Sequence, residues 1–358
     1  MSAATRQPEA VLEPDLPIVD PHHHLWDRRN YPTPGGGPEH PFMTAIAPAR
    51  RYLLDELLAD TGSGHNVIAT VFVECGAFYK ADGPVEMRPV GETEFVNGVA
   101  AMSASGIYGP TRACAGIVSR ADLLLGDGVA AVLEAHVRAG GGRFRGIRNS
   151  ASFETDKDVL GPLNRVEAGL YLSDQFRKGF KHLGRMGLSF DAWLLEPQLP
   201  DVTDLARAFP DTTIVLDHVG TPLGRGSYTG RREERFPTWR ENIRELAKSQ
   251  NVVVKLGGLA MAFCNFPSFL AEPRAPSTQL ADEWRPYIET CIEAFGANRC
   301  MFESNFPVDM GSCDYRTLWN AFKHLAKGAS AEEKAALFSG TATRVYRLEL
   351  AAEMAVAA

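Results

Sequence analysis

The sequence lacks the signatures of several protein classes. No stretch approaches 18 uninterrupted apolar residues, and the amino-terminal segment MSAATRQPEAVLEPDLP has no apolar core, so we expect neither a membrane span nor a signal peptide, and a cytoplasmic location. The chain has no long basic run, and its formal net charge is −7. That charge pattern argues against nucleic acid or an anionic membrane as the main partner.

Cysteine is scarce, and its spacing forms no known framework. The six cysteines make no C-x-x-C pair and no zinc-finger spacing, and most lie in apolar stretches. The pattern predicts free buried thiols in a reducing compartment.

What the chain has in abundance is a regular alternation of two patterns. Its 358 residues are 45% hydrophobic, and short β-branched apolar runs alternate with amphipathic segments. The candidate strands are 17–23, 67–75, 113–119, 144–150, 188–195, 213–220, 251–258 and 300–307. The candidate helices are 50–60, 92–105, 122–139, 171–186, 201–209, 236–249, 280–295, 314–327 and 330–350. Eight such units predict a single α/β domain, a (β/α)8 TIM-type barrel.

The barrel has predictable boundaries and insertions. We assign residues 17–350 to it, with a leader at 1–16 and a tail at 351–358. The extra C-terminal helix begins at Ser330, which forms a capping box with Glu333. Loop insertions at 27–48, 76–91 and 221–236 follow strand ends, where barrel enzymes carry substrate loops.

The first strand ends in DPHHHLWD, an aspartate and three histidines in a row. Side chains alternate along a strand, so Asp20, His22 and His24 should share one face and His23 the other. Two imidazoles at the carboxyl end of a barrel strand can bind one divalent ion. The alternative is a solvated histidine cluster near the terminus.

Two later strands also end in polar side chains. His218 follows the sixth strand, on the face of Ile214 and Leu216 if the strand continues, where a lone histidine could equally be a core residue. Glu303 and Asn305 end the eighth strand on one face. Because carboxyl ends of barrel strands meet at one mouth, these groups should converge with the histidines of the first strand.

Four motifs in order resemble the amidohydrolase superfamily, in particular its amidohydrolase-related branch of sugar-lactone, sulfomuconolactone and pyrone-dicarboxylate lactonases. They are DPHHHLW at 20–26, GIR at 146–148, LDHVG at 216–220 and FESNFP at 302–307, and the closing FSGTATRVY at 338–346 resembles the family's terminal helix. The resemblance implies a barrel hydrolase of small carbonyl compounds.

The resemblance also implies roles for individual residues. His22, His24 and His218 would bind one divalent metal, zinc or manganese, or would orient the carbonyl in a metal-free enzyme. Arg148 would grip a substrate carboxylate, unless it forms only a structural ion pair. Trp26 and Tyr79, at strand ends, could stack on a flat substrate, although aromatic residues there often serve packing alone.

One position departs from the family pattern. The family's metal-binding, proton-accepting aspartate of the eighth strand is Asn305 here, and a carboxamide cannot accept that proton. Glu303, Asp309 or Glu74 could replace it as the base, or a histidine could move the proton while Asn305 hydrogen-bonds the substrate. Glu303 and Glu74 could instead be paired with a basic neighbour such as Lys255, to which we assign no catalytic role.

Three functions are compatible with these residues. The first is hydrolysis of a carboxylate-bearing lactone or ester. The second is metal-dependent decarboxylation of an aromatic or unsaturated acid, and the third is ligand binding by a catalytically decayed barrel. In each case the expected partner is a small molecule, and a homo-oligomer is possible.

Overall fold

Eight parallel strands form a nearly closed barrel in the computed structural model, which describes residues 9–30 and 39–350. They follow one another around the barrel in chain order: β1 (Ile18–His23), β4 (Val67–Val73), β5 (Arg112–Ser119), β6 (Phe144–Arg148), β7 (Ser189–Ala192), β8 (Ile214–Leu216), β9 (Val252–Leu256) and β10 (Cys300–Phe302). A short antiparallel pair, β2 (Trp26–Asp27) and β3 (Arg51–Tyr52), lies outside it. The predicted (β/α)8 architecture is confirmed.

Helices alternate with the strands and cover the outside of the barrel. Their bounds are α1 (Pro41–Ile46), α2 (Leu54–Thr61), α3 (Val90–Ala104), α4 (Val129–Ala139), α5 (Lys157–Leu160), α6 (Asp174–Arg185), α7 (Leu199–Ala208), α8 (Arg232–Leu246), α9 (Ser277–Phe295), α10 (Tyr315–Leu325), α11 (Ala331–Ala335) and α12 (Thr341–Val345). None of the helices in the described ranges is long and apolar enough to cross a bilayer.

The first and last strands are joined at the end where the histidines lie. The backbone N–H of Asn305 donates to the carbonyl of His22 at 2.8 Å, and that of His24 donates to Phe306 at 2.8 Å. These bonds bring the polar ends of β1 and β10 together, as the site prediction requires.

Several predicted strands are shorter than expected. The fifth, sixth and eighth end at Ala192, Leu216 and Phe302, because the residues that follow turn into the mouth of the barrel instead of continuing the ladder. Two of those residues, His218 and Asn305, have positive φ angles of 56° and 53°, which a strand cannot accommodate.

The predicted final helix, 330–350, is not one continuous α-helix. It begins with the expected capping box at Ser330, passes through a π-helical turn (Ala336–Gly340) and ends at Val345. Tyr346 then enters the floor of the barrel, packing with interior residues such as Val71 and Val215. Its hydroxyl donates a 2.7 Å hydrogen bond to Oδ2 of Asp191.

Removing the hydroxyl of Tyr346 should therefore weaken the fold. We expect Tyr346→Phe to lower the free energy of unfolding by about 1.5–3 kcal/mol, the range for a hydrogen bond to a charged group. Urea denaturation would measure the change. Tyr108→Phe, which alters an exposed tyrosine, should leave the midpoint in place; equal effects of the two variants would show that the bond to Asp191 contributes nothing.

Part of the predicted leader is held against the barrel. Residues 1–8 and the tail at 351–358 lie outside the described residues, but Leu12 and Glu13 offer their carbonyls to Nζ of Lys323 at 2.7 and 2.8 Å. All six cysteines, which lie in the described part of the chain, are free thiols, and all but Cys75 are fully buried.

Candidate active site

His22 and His24 point into the mouth of the barrel, and His23 points away from it. The rings of His22 and His24 lie edge to face, with centroids 5.0 Å apart. Nε2 of His23 lies 2.8 Å from the hydroxyl of Thr70, on the opposite side of the strand. The alternation expected for these three histidines is therefore what the structure has.

Asp20 does not share the face of His22 and His24, and that expectation was wrong. Its carboxylate accepts hydrogen bonds from the hydroxyls of Ser304 at 2.6 Å and Tyr315 at 3.0 Å, in the layer between strand and helix. The cause is a β-bulge, because the register of β1 shifts between Asp20 and His23. An extra residue in a strand inverts the alternation beyond it. Burial raises the pKa of Asp20 to about 6.

His218 reaches the site by a turn of the backbone. If the strand continued, His218 would lie on the same face as Ile214 and Leu216, and that face packs against the helices. Instead, His218 and Val219 adopt left-handed backbone conformations (φ 56° and 48°). The ring turns inward, and its centroid lies 4.7 Å from that of His22.

Glu303 joins the two imidazoles. Its Oε1 lies 2.7 Å from Nδ1 of His218 and accepts from the backbone N–H of the same residue at 3.2 Å. Its Oε2 lies 2.6 Å from Nδ1 of His22, although the alignment falls short of a hydrogen bond and no other described group bonds this oxygen. The carboxylate is fully buried.

The ring nitrogens of the three imidazoles contact different groups. Nδ1 of His22 and of His218 faces Glu303, and Nδ1 of His24 lies 2.8 Å from the carbonyl of Val73. Nε2 of His22 lies 3.3 Å from a nitrogen of Arg148, which can only donate. Nδ1 of His22 also lies 3.2 Å from Nζ of Lys255, which can only donate, so each ring nitrogen of His22 has a donor beside it. Burial lowers the pKa values of His22 and His24, so both are neutral.

Asn305 lies beside His24. Its Oδ1 is 3.3 Å from Nε2 of His24, and its Nδ2 donates to Oδ1 of Asp309 at 2.7 Å. Asp309 is fully buried, and burial raises its pKa well above the usual range. Asp309 thus contacts the carboxamide rather than the imidazoles, and it lies behind Asn305 as seen from the histidines.

Arg148 and Glu74 form an ion pair at the edge of the cluster. Nε of Arg148 lies 2.9 Å from Oε1 of Glu74, and the guanidinium also donates to the backbone carbonyl of Glu74 at 2.5 Å. Its NH1 makes only longer contacts, 3.3 Å to His22 and 3.5 Å to Asp217. Burial disfavours the charged guanidinium, but Glu74 and Asp217 together raise its pKa above the ordinary value.

Sequence reasoning did not predict the group of three charged side chains below the imidazoles, and it considered Lys255 only as a partner of Glu303 or Glu74. The ammonium of Lys255 lies 2.7 Å from Asp191 and 3.1 Å from Asp217, and all three side chains are fully buried. Asp217 was noted only as part of a motif, and Asp191 was not noted at all. The available signal was a charged residue in the middle of each of two apolar strands, β7 and β9, which points to a buried pair.

The two aromatic candidates occupy different layers. Trp26 is 1% exposed, stacks on His24 at 6.0 Å and donates its indole N–H to the carbonyl of Ala49. Tyr79 is half-buried, and no described group hydrogen-bonds its hydroxyl. The structure thus places Trp26 behind His24, and it buries the hydroxyl of Tyr79.

The central residues fit a divalent cation. His22, His218 and Glu303 each offer a ligand atom, and these atoms lie within 4.8 Å of one another. Two imidazoles and a carboxylate suit zinc or manganese. The surrounding cluster holds more carboxylates than cationic side chains. The carboxylates are Glu303 and those at positions 74, 191 and 217, and the cationic side chains are Arg148 and Lys255. An excess of buried negative charge favours the binding of a cation.

Residues 19–348 match the Amidohydrolase family. The chain belongs to this family, and it is a hydrolase. It is 36% identical over 337 residues to the uncharacterized protein y4mH of Sinorhizobium fredii, and the alignment covers 93% of this chain and 99% of that protein. An L-fucono-1,5-lactonase of Burkholderia multivorans is 31% identical over 213 residues, covering 58% of this chain and 64% of the lactonase.

A solved structure extends the comparison. An amidohydrolase from Burkholderia multivorans, crystallised with bound zinc, superposes with a TM-score of 0.68 at 25% identity, covering 93% of this amidohydrolase and 99% of the other chain.

The three consecutive histidines allow a direct test of the site. Loss of a residue that hydrogen-bonds a metal ligand lowers metal affinity by about 10–100-fold. We expect His22→Ala, which removes a ligand itself, to lower zinc affinity by more than that. His23→Ala should retain zinc, because its ring bonds Thr70 outside the site. Metal content after dialysis would measure both. Equal losses in the two variants would contradict the assignment of faces.

Proposed function

We propose that this amidohydrolase hydrolyses a small lactone or ester that carries a carboxylate. The observation that carries the proposal is the position of Glu303, a carboxylate of the eighth strand in contact with both His22 and His218. It provides the proton acceptor that Asn305 cannot be. The similarity to an L-fucono-1,5-lactonase favours a lactone as the substrate.

His22, His218 and Glu303 would hold a divalent ion, which supplies carbonyl polarisation and lowers the pKa of a water molecule when bound. The zinc bound in the Burkholderia structure supports a divalent ion in this barrel. His24, whose Nε2 faces Asn305, would orient the substrate carbonyl.

Glu303 would move the proton. As the water oxygen attacks the carbonyl carbon, Oε2 of Glu303 accepts a water proton. When the bond from that carbon to the ring or ester oxygen breaks, the same oxygen returns the proton to the departing alkoxide. Oε1 accepts from the backbone N–H of His218, whereas no described group donates to Oε2, so Oε2 is the oxygen for proton transfer.

Arg148 would bind the substrate carboxylate through NH1. Its Nε and NH2 are engaged by Glu74, whereas NH1 makes only contacts longer than 3.2 Å. His24, Glu74 and Arg148 are 4%, 7% and 6% exposed, while Glu303 and His22 are completely buried. A substrate entering from the mouth would therefore meet these three side chains first.

A panel of substrates tests the proposal. Acid release would be measured for lactones and esters with and without a carboxylate, before and after chelation and re-addition of zinc or manganese. Turnover of carboxylate-bearing lactones or esters, lost in Arg148→Met through a raised KM, is the expected result. Carbon dioxide release from aromatic or unsaturated acids would identify a decarboxylase instead, and binding without turnover would identify a decayed barrel.

A further inference from the structure

Lys255 has surroundings that resemble those of a metal ion. Its ammonium is fully buried, 2.7 Å from Oδ2 of Asp191, 3.1 Å from Oδ1 of Asp217 and 3.2 Å from Nδ1 of His22. Two carboxylates and an imidazole are ligands for divalent cations in proteins. Here a side chain of the protein supplies the cation.

The ammonium cannot leave this position by extending toward solvent. The ring of Tyr346 lies 5.6 Å below it, and the hydroxyl of that tyrosine donates to Asp191 at 2.7 Å. A lysine usually reaches water with its charged end, but the floor of the barrel blocks that route. Lys255 therefore keeps its amino group within the cluster.

The carboxylates around the ammonium keep unused oxygens. Oδ1 of Asp191 and both carboxylate oxygens of Asp217 are buried and accept no aligned hydrogen bond from a described residue. Without the ammonium, two buried carboxylates would lie beside His22, and their remaining positive partner among the described residues would be Arg148, 3.5 Å from Asp217. Such a group either takes up protons or binds a cation.

We propose that the ammonium of Lys255 permanently occupies a cation position beside the His22, His218 and Glu303 site, so that removing it creates an additional divalent-cation site at Asp191 and Asp217. The inference rests on the proposed function only in taking the three neighbouring residues as the site of the first ion. It makes Lys255 a determinant of how many divalent ions the barrel holds.

The test is a comparison of zinc stoichiometry. Wild-type protein and Lys255→Met would be dialysed to equilibrium against Zn²⁺, and bound zinc would be measured by elemental analysis. We expect the variant to bind about one equivalent more than the wild type, since one ammonium is replaced. Equal stoichiometry in folded wild type and Lys255→Met would overturn the proposal.

Lys323 provides a matched control. It is also a buried lysine, and its ammonium also lies near an imidazole, 2.8 Å from Nδ1 of His65, but its other contacts are the carbonyls of Leu12 and Glu13. Because no carboxylate of a described residue forms an ion pair with this ammonium, Lys323→Met should bind the same zinc as the wild type. If Lys323→Met gained as much zinc as Lys255→Met, the proposal would be overturned, because the gain would follow from the loss of a buried lysine at either position.

A double variant covers the case in which Lys255→Met folds poorly. Lys255→Met/Asp191→Asn removes one of the two carboxylates. Zinc should therefore raise its unfolding temperature by no more than it raises that of the wild type. Lys255→Met should refold, or gain thermal stability, when Zn²⁺ is added. Zinc-independent behaviour of both variants would contradict the inference. None of these readings depends on turnover, so a failure of the lactone assay leaves the result interpretable.

Discussion

Glu303→Gln is expected to reduce kcat for the substrate found in the lactone and ester panel by about 10²–10⁴-fold, the usual contribution of a general base. Glutamine keeps the size of the side chain but cannot accept a proton at Oε2. KM should change little, because Glu303 is completely buried and lies below the side chains that would meet the substrate. Steady-state kinetics with purified variant would measure both constants.

Glu74→Gln is the matched control for this carboxylate. Glu74 pairs with Arg148 at 2.9 Å, so its replacement should raise KM through a displaced guanidinium and affect kcat less. If Glu74→Gln abolished kcat while Glu303→Gln left it unchanged, the base would be Glu74. The double variant Glu303→Gln/Asn305→Asp should recover part of the lost kcat only if a carboxylate at position 305 can reach the same water.

Gly258→Ala is expected to lower activity strongly by displacing His218. Gly258 has φ +65°, and an added Cβ would lie 2.7 Å from Cβ of His218 and closer still to Nδ1 and Cγ of the ring. The imidazole must move, which breaks its contact with Glu303. We expect a loss of kcat of about 100-fold, as found when a catalytic group is displaced by about 1 Å. Kinetics and zinc content would both report the change.

Gly187→Ala separates the clash from the backbone strain. Gly187 has nearly the same φ angle, +63°, but nothing lies within 4 Å of its added Cβ. It should cost about 1 kcal/mol of stability, since alanine disfavours positive φ, and should leave kcat unchanged. A Gly258→Ala variant that loses no more activity than Gly187→Ala would show that the position of His218 is not critical.

The sequence predicted the architecture because each strand is buried on both faces and so reads as an apolar run, as in Val67–Val73. It also predicted which polar groups gather at the mouth, since all parallel strands end there. His22 and His24 were placed correctly relative to His23 because alternation holds over that short distance.

Local backbone geometry was harder to predict. The bulge that separates Asp20 from His22 and the left-handed turn at His218 leave no clear signal in residue type. Both depend on how the strand end packs against its neighbours. The direction of a side chain at a strand end is therefore less predictable than its presence there.

The charged floor of the site could not be predicted from single strands. Asp191 and Lys255 belong to β7 and β9, which do not pair directly because β8 lies between them. Their contact, 2.7 Å long, follows only once the barrel is closed and both side chains point inward. The sequence shows only that each of these apolar strands carries a charged residue, and which charges meet depends on the tertiary structure.

The hydrogen bond from the hydroxyl of Tyr346 to Asp191 has a consequence for synthesis on the ribosome. The histidines of the first strand emerge more than 320 residues before the tyrosine that closes the floor beneath them. Until Tyr346 is synthesised, the hydrogen bond to Asp191 cannot form and the floor of the barrel lacks this side chain. The interior environment of the cluster is thus complete only after Tyr346 has been synthesised, and a nascent chain holds the side chains of the site long before it holds the site.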